Sequence, residues 1–411
     1  MRRLLRLALA IVLVLALGGT GLAVWKRAEI ARLLAVNTLF DEDRIVANFS
    51  SMERMFHTRT LDAGQPTPLP AGPGLPPEVG EVWDAWQDAH RVTAHVILHR
   101  GALVSEAYRL GTGPDDRRIS WSIAKSFLAL LLGILHEDGT LPDLDIAVDR
   151  LVPELRGSAY AGVSLRDVAR MASGVAFDEN YLDFHSDINR MGRVLALGRS
   201  MDGFAAGLTD RHGPAGAAWR YVSIDTHVLG MAIRAASGRS IPELMEERLL
   251  RPVGLDPGPF FLTDSHGVAF VLGGLNMTTR DFARLGWLVA QGGRWEGREI
   301  VPEGWIARAT APQAPGGALY GYQWWVPPGA EGGETFARGI YGQYLWIDPA
   351  REVVIAVNAA NRRFNMPGAD DAAIAMFRAL AAAIAEGTGA RLPGTGGHLH
   401  GTGAHLHGTG D

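Results

Sequence analysis

The chain of 411 residues contains no cysteine, which excludes disulfide bonds, thiolate nucleophiles and cysteine-ligated zinc. Lysine is nearly absent as well: Lys26 and Lys125 are the only two, so the other 37 of the 39 basic residues are arginine. The net charge of −5 and the lack of a basic stripe set aside nucleic-acid binding. With 47% hydrophobic and 20% charged residues, the chain is expected to be mostly globular, with one large domain or two ordinary ones.

Two widespread catalytic and binding motifs are also missing. No Gly-x-Ser-x-Gly pattern occurs, which excludes the nucleophile elbow of the α/β-hydrolases. No Gly-x-Gly-x-x-Gly pattern follows a predicted strand, so a nucleotide cofactor is not indicated. The run His136-Glu137-Asp138 departs from His-Glu-x-x-His and is typical of a helix end. We therefore expect neither a metal nor a cofactor.

The first 27 residues have the features of an export signal. Three arginines in the first six residues form a basic head, and Leu7–Trp25 follow without a charge, close to the ~20 residues that span a bilayer. Residues 1–27 predict either an uncleaved signal anchor or a signal peptide with small residues at Gly21 and Ala23 before the cut. In both cases the rest of the chain is expected outside the cytoplasm, membrane-anchored in the cell envelope and facing the periplasm, or secreted.

The remaining sequence divides into three parts by composition. Residues 28–79 predict a helical juxtamembrane arm followed by a proline-rich linker or wrapping segment. Residues 80–390 predict the compact domain, with a mainly helical subdomain at about 150–270. Residues 391–411 repeat Gly-Thr-Gly-x-His-Leu-His and predict a disordered tail, although its four histidines could bind a metal loosely.

Predicted strands lie near both ends of the compact domain, with helices between them. This order indicates one sheet built from the two ends and a helical region inserted between them. The predicted strands are Val92–His99, Ala102–Leu110, Tyr320–Val326, Gln343–Asp348 and Glu352–Ala359. The predicted helices are one from Ser122 to about Asp138, Leu165–Met171, His227–Ala236, Ile241–Leu250, Thr279–Gln291 and Ala369–Glu386.

Lys125 is the unusual residue of the compact domain, because it lies in an apolar predicted helix of a chain that otherwise uses arginine. A desolvated lysine can lose its proton, whereas arginine cannot, so this position is suited to a neutral amine. Ser122 stands three residues earlier, on the same helix face and at the helix start. Ser-x-x-Lys at this spacing indicates a serine nucleophile activated by a lysine base.

Tyr221 is the candidate for a second proton-transfer group. It lies in the run Tyr221-Val-Ser223, just before a predicted helix. The ammonium of Lys125 would lower the pKa of a nearby tyrosine, so Tyr221 could act as a base and then as an acid.

Six segments together resemble the serine β-lactamase-related hydrolases, and within them most closely the class C-like esterases and amidases of the 6-aminohexanoate-dimer hydrolase group. The resemblance extends over about residues 40–388, with the motifs in the expected order. The segments are Ser122-Ile-Ala-Lys125, Met171–Tyr181, Tyr221-Val-Ser223, Gly273–Asp281, Tyr320–Trp325 and Gly339–Pro349.

This resemblance implies an α/β (α+β) class with a penicillin-recognising fold, in which helices flank an antiparallel sheet and a mainly helical subdomain is added. It implies Ser122 as the nucleophile of an acyl-enzyme, with Lys125 and Tyr221 as the proton-transfer pair. The oxyanion hole is expected from the backbone N–H groups of Ser122 and of a strand residue near Ile340. The substrate-binding candidates are Tyr181, Asp187, Ser223, Asn276, Trp325 and Gly339.

The sequence departs from the class C pattern at two places. Ser223 stands where those enzymes have asparagine in Tyr-x-Asn. The lysine of their Lys-Thr-Gly strand, which meets the substrate carboxylate, is absent, because the matching strand is Glu334–Ile340; Arg338 is the only basic residue there. Neutral small-molecule esters or amides are therefore the favoured substrates. A β-lactamase or a peptidase acting on cell-wall-like substrates is the first alternative, and a non-catalytic envelope binding protein on the same fold is the second.

Overall fold

The computed structural model describes residues 2–387. Within that range the helices are α1 Arg2–Trp25, α2 Arg27–Asn37, α3 Ile45–Phe49, α4 Pro77–Ala89, α5 Ile123–Glu137, α6 Val148–Leu151, α7 Leu165–Ala169, α8 Asp187–Ala196, α9 Met201–Ala206, α10 Ser223–Ser237, α11 Ile241–Met245, α12 Arg251–Val253, α13 Thr279–Ala290, α14 Glu303–Ala309 and α15 Ala369–Glu386. The strands are β1 His57–Thr60, β2 Val92–His99, β3 Ala102–Tyr108, β4 Arg118–Ile119, β5 Phe260–Thr263, β6 Leu275–Met277, β7 Arg294–Trp295, β8 Arg298–Glu299, β9 Thr335–Gly339, β10 Gln343–Asp348 and β11 Val353–Ala359.

The main sheet is antiparallel and has the strand order β3-β2-β11-β10-β9. The early hairpin β2–β3 joins the late strands through β2 and β11, where Val96 pairs with Ala356. This pairing confirms that one sheet is built from both ends of the compact domain. Both of these strands are buried along almost their whole length, because helices cover the two faces of the sheet.

Successive residues of the central strands enter two different hydrophobic cores, as the pleat of a strand requires. Leu98 and Ala356 face the larger core, which contains α5 and α13. Ile97 and Ile355 face the smaller core, which contains α4 and α15. Every residue of α5 from Ile123 to Leu135 is buried, in keeping with a helix that is apolar on all sides.

A second sheet, with the order β1-β5-β6-β4, was not predicted. Its strands have two to four residues each, too short to give a clear alternation of apolar and polar residues. The sheet matters for function because β4 leads directly into Ser122. Ile119 of β4 pairs with Asn276 of β6, and Ser120 N–H donates to the Leu275 carbonyl at 2.8 Å.

The predicted strand Tyr320–Val326 is wrong. The segment makes only isolated bridges, between Tyr320 and Trp325 and between Trp325 and Phe336. Gln323 has a φ of +61°, which an extended strand does not allow. The edge strand of the main sheet is β9 instead.

The helical region lies between the two sets of strands, as predicted, and consists of α6 to α12. Its helices are short, and α7, α8, α9 and α11 begin with a serine whose side chain accepts a backbone N–H of the first turn. The predicted helix Ile241–Leu250 begins at Ile241, but it changes to π-helical winding at Glu246.

Residues before the predicted boundary at position 80 already contribute to the larger core. Leu39, Ile45, Phe49 and Met52 are buried there. The proline-rich segment lies against the domain: Leu103 N–H donates to the Pro70 carbonyl at 2.7 Å. Of the two predicted possibilities, a linker or a wrapping segment, the structure shows a segment that packs along the domain.

The N-terminal residues form the helix α1. Among the residues that the structure describes, no helix is both long and apolar enough to cross a membrane, so the predicted anchor in residues 1–27 is not supported. The predicted disordered tail at residues 391–411, with its four histidines, lies outside the described residues.

Candidate active site

The Ser122–Lys125 pair lies at the start of α5, where the larger core meets a surface pocket. Lys125 Nζ is 2.9 Å from Ser122 Oγ and donates to the Leu272 carbonyl at 2.8 Å. Only 1% of Lys125 is exposed. Burial lowers the pKa of Lys125 from 10.5 to about 7, and the Glu179 carboxylate opposes part of this fall. Above about pH 7 the lysine is mostly a neutral amine, and it lies within hydrogen-bond distance of the serine hydroxyl.

The backbone before Ser122 turns sharply. Trp121 has a φ of +42°, a conformation that side-chain-bearing residues seldom adopt and that often occurs at functional sites. Ser122 then occupies the N-cap position of α5. This turn directs the serine toward the pocket while Lys125, one helical turn later, stays in the core.

Tyr221 precedes α10 and lies beside the lysine. Lys125 Nζ is 5.3 Å from the centre of the Tyr221 ring, and the ring stacks on Trp325 with centroids 5.5 Å apart. The pKa of Tyr221 was expected to fall, but it is raised, first by burial and then by the charge of Glu179; contact with Ser122 opposes the rise. Tyr221 is therefore a phenol near neutral pH and can donate a proton.

Glu179 was not predicted as a site residue, although it lies within one of the segments that carry the resemblance. Its carboxylate accepts the backbone N–H of Ser223 in a short hydrogen bond, the Ser223 hydroxyl at 3.1 Å and the Tyr181 hydroxyl at 3.0 Å. Burial raises the pKa of Glu179, and the nearby Lys125 opposes the rise. Nothing in the local sequence distinguishes this glutamate from a solvated one, because its partners come from another segment.

The predicted oxyanion-hole residues meet beside the serine. Within the described residues, the backbone N–H groups of Ser122 and Ile340 donate to no other backbone group. Gly339 packs against the turn: a Cβ on Gly339 would lie 2.8 Å from the Ser120 carbonyl oxygen and 3.0 Å from Ser122 N. Glycine therefore allows β9 to lie directly against the turn that carries the nucleophile.

Of the other predicted substrate-binding residues, some lie at the pocket or beside Tyr221, whereas Asp187 and Asn276 do not line the pocket. Tyr181 and Ser223 line the pocket next to Ser122, and Trp325 supports Tyr221 from behind. Asp187 lies in the first turn of α8, where it pairs with Arg190 at 2.7 Å. Asn276 is fully buried in β6, with its Oδ1 atom unpartnered and its amide donating to the Gly274 carbonyl at 2.9 Å.

Arg338, the basic residue of β9, is held by two other side chains. Its guanidinium forms an ion pair with Asp370 and lies 4.6 Å from the centre of the Trp325 ring. Trp325 belongs to the smaller core, and Asp370 lies in the first turn of α15. The Arg338 guanidinium is therefore already engaged by a carboxylate.

The pocket beside Ser122 has a volume of about 360 Å³, within the range of small-molecule sites. Its walls are mostly apolar side chains, among them Val36, Leu39 and Phe40 from α2 and the segment that follows it. Ile340 and Tyr341 lie on the wall next to the serine. The fold, the buried amine and this pocket together define a serine hydrolase of the penicillin-recognising type.

Comparison with known proteins gives the family. The beta-lactamase family model matches residues 84–381, and the chain belongs to this family. It is similar to the 6-aminohexanoate-dimer hydrolase of Paenarthrobacter ureafaciens, with 31% identity over 280 residues, which cover 64% of this chain and 71% of that enzyme.

Solved structures show the same fold. A Bacillus anthracis protein described as a candidate 6-aminohexanoate-dimer hydrolase aligns with a TM-score of 0.74 at 23% identity, covering 85% of this chain and 96% of that one. A family VIII carboxylesterase aligns with a TM-score of 0.54 at 15% identity, covering 72% of this chain and 93% of that one. A penicillin-binding protein homologue from Caulobacter crescentus aligns at 0.54, with 19% identity and coverage of 70% and 93%.

Proposed function

We propose that the protein hydrolyses neutral esters or amides of small molecules through an acyl-enzyme on Ser122. The observation that carries this proposal is the 2.9 Å distance between Lys125 Nζ and Ser122 Oγ, with the pKa of the lysine lowered by burial to about 7. A serine hydroxyl becomes a nucleophile only when a base can take its proton, and a neutral amine at this distance is such a base.

The proton steps follow from the different states of Lys125 and Tyr221. Neutral Lys125 accepts the proton of Ser122 as Oγ attacks the substrate carbonyl carbon. The phenol of Tyr221 gives its proton to the leaving alcohol or amine and recovers one from the Lys125 ammonium. Water then attacks the acyl-enzyme, its proton passes to the same pair, and Ser122 Oγ leaves with a proton.

The oxyanion forms twice in this cycle, and the donors proposed to stabilise it are the N–H groups of Ser122 and Ile340, which both line the pocket. Loss of one such donor typically costs 10²–10³ in turnover. Gly339 supports this arrangement because it keeps β9 against the turn that carries the serine.

Neutral substrates are favoured over penicillins and peptidoglycan stems because Arg338 is engaged with Asp370. Burying a carboxylate without a partner is costly, and substrates that bear one lose binding energy that neutral esters keep. The relative from Paenarthrobacter ureafaciens is named 6-aminohexanoate-dimer hydrolase. Joining the amino group of one such acid to the carboxyl group of another gives an amide, so the name supports the inclusion of amides.

We also propose export from the cytoplasm, on the basic head and apolar run of residues 1–27. Fractionation of cells that express the full chain should recover the activity outside the cytoplasm. Activity confined to the cytoplasmic fraction would reject this part of the proposal.

Active-site labelling tests the mechanism. A fluorophosphonate should modify the folded protein, and peptide mapping should find the adduct on Ser122. Ser122→Ala should abolish both label and ester hydrolysis. Ser126→Ala is the matched control: Ser126 is on the same helix and is buried, but its hydroxyl donates to the Gln323 carbonyl at 2.6 Å. An adduct on another serine, or none on folded protein, would reject the proposal.

A further inference from the structure

The pocket beside Ser122 is closed on one side by residues that precede the family domain. Val36, Leu39 and Phe40 line it, although the beta-lactamase family model matches only residues 84–381. This N-terminal arm, residues 27–56, is therefore a part of the substrate pocket that the family domain does not supply.

The arm is fixed to the catalytic residues by aromatic contacts. Phe40 stacks on Tyr341 with ring centroids 4.8 Å apart and an angle of 14°, and it lies 5.8 Å from Trp121. Trp121 precedes the nucleophile and Tyr341 follows Ile340, so the wall is held at both sides of the predicted oxyanion hole. The Phe364 ring contacts the Tyr341 ring with centroids 4.7 Å apart and an angle of 43°, but Phe364 is not part of the pocket wall.

The pocket offers few charged groups to a substrate. Among the described residues that line it, Arg193 is the only charged one. Its guanidinium donates to the Phe184 carbonyl at 2.8 Å and lies 4.0 Å from the centre of the Phe184 ring. The interior is therefore suited to an apolar group.

The position of Tyr221, the proposed proton donor, indicates whether the acyl group or the leaving group of the substrate enters the pocket. Ser122 and Ile340 line the pocket, whereas Tyr221 does not. Since Tyr221 must reach the leaving group, the leaving group lies away from the pocket, and the acyl group occupies it. We propose that the N-terminal arm completes a pocket for an unbranched, apolar acyl chain, so that the substrates are esters or amides of medium-chain fatty acids. This inference rests on the proposed function.

A series of esters with acyl chains of increasing length measures how strongly the pocket binds the acyl group. In nitrophenyl esters with one leaving group, kcat/KM should rise about fourfold for each methylene added between butyrate and octanoate, because each buried methylene contributes a constant increment. In butyrate esters of alcohols of increasing length, kcat/KM should stay nearly constant. A rise in the alcohol series instead of the acyl series would overturn the assignment of the pocket to the acyl group.

Two variants test the arm and the pocket. Phe40→Ala should reduce the octanoate-to-butyrate ratio of kcat/KM at least tenfold, whereas Phe364→Ala, which removes another aromatic contact of Tyr341, should keep the ratio. Gly192 lines the pocket from α8, and a Cβ there meets nothing within 4 Å, so Gly192→Leu should also lower the ratio by filling the space. Equal ratios in Phe40→Ala and the wild type would overturn the role of the arm.

Failure of this inference and failure of the proposed function give different results. If butyrate is hydrolysed at Ser122 but kcat/KM does not rise with acyl length, the acyl-pocket inference alone is overturned. If the folded wild type hydrolyses none of the esters and takes no label on Ser122, both are overturned.

Discussion

The acidic limb of the pH profile of kcat/KM should report the proton on Lys125. Burial lowers the pKa of this amine to about 7. Only the neutral amine can act as a base, and it makes up about a tenth of the enzyme at pH 6 and about nine tenths at pH 8. We therefore expect kcat/KM to rise about tenfold from pH 5 to 6, about fivefold from pH 6 to 7 and about twofold from pH 7 to 8, where it levels off.

Glu179→Gln should move this limb to lower pH. The Glu179 carboxylate stabilises the Lys125 ammonium, so its removal lowers the pKa of the lysine further. A fall of one pH unit in the midpoint raises kcat/KM at pH 6 about fivefold, since the neutral fraction grows from about a tenth to about a half. The glutamine oxygen can still accept hydrogen bonds from Ser223 and Tyr181, so the loop should keep its position.

The assay follows release of butyrate from its methyl ester by chromatography, because the absorbance of nitrophenol itself depends on pH. Asp178→Asn is the matched control: it removes the same charge one residue earlier, on an exposed side chain. Its midpoint should match that of the wild type. A flat wild-type profile between pH 5.5 and 8.5, or a Glu179→Gln midpoint that stays or rises, would refute the reasoning.

Three further outcomes are expected. Gly133→Ala should reduce the free energy of unfolding by roughly 1–3 kcal/mol, because the new methyl group would overlap the Trp305 ring. Gly80→Ala in α4, where the methyl group meets open space, should increase the free energy of unfolding by up to ~1 kcal/mol. Equal effects of the two substitutions in urea titrations would contradict this packing. Burial raises the pKa of Asp225 from 3.8 to about 7, so the stability linked to its proton is present below pH 4 and is lost as pH rises through 7. The melting temperature of Asp225→Asn minus that of the wild type should therefore increase from pH 4 to pH 8. A difference that stays constant over this pH range would contradict the prediction. Because Arg338 is paired with Asp370, a reporter cephalosporin should have a much lower kcat/KM than a butyrate ester, and the reverse order would restore the β-lactamase alternative.

Much of the fold could be predicted because the main elements are long and strongly patterned. The strand Gln343–Asp348 and the helix Ala369–Glu386 have the predicted bounds, and the strand Val92–His99 does as well. The second sheet was missed because its strands are short and owe their pairing to distant segments. Tyr320–Val326 looks like a strand from its aromatic content, but the left-handed Gln323 breaks it.

The proximity of Ser122 and Lys125 was predictable, because it depends on their spacing along one helix. The direction of the pKa shift of Tyr221 was not, because it depends on burial and on Glu179, which comes from another loop. The contribution of Phe40 to the pocket could not be predicted either, because it depends on contact with a distant segment: Tyr341 is some 300 residues further along the chain.

The sheet that joins both ends of the domain also determines when the enzyme can first act. The ribosome makes Ser122 and Lys125 early, but β9 and the Ile340 N–H belong to the last fifth of the chain. Strand β2 has no partner on its inner side until β11 has been synthesised. Under the proposed mechanism, a nascent chain carries its nucleophile through much of its synthesis without the proposed oxyanion hole, and hydrolysis should begin only when translation is nearly complete.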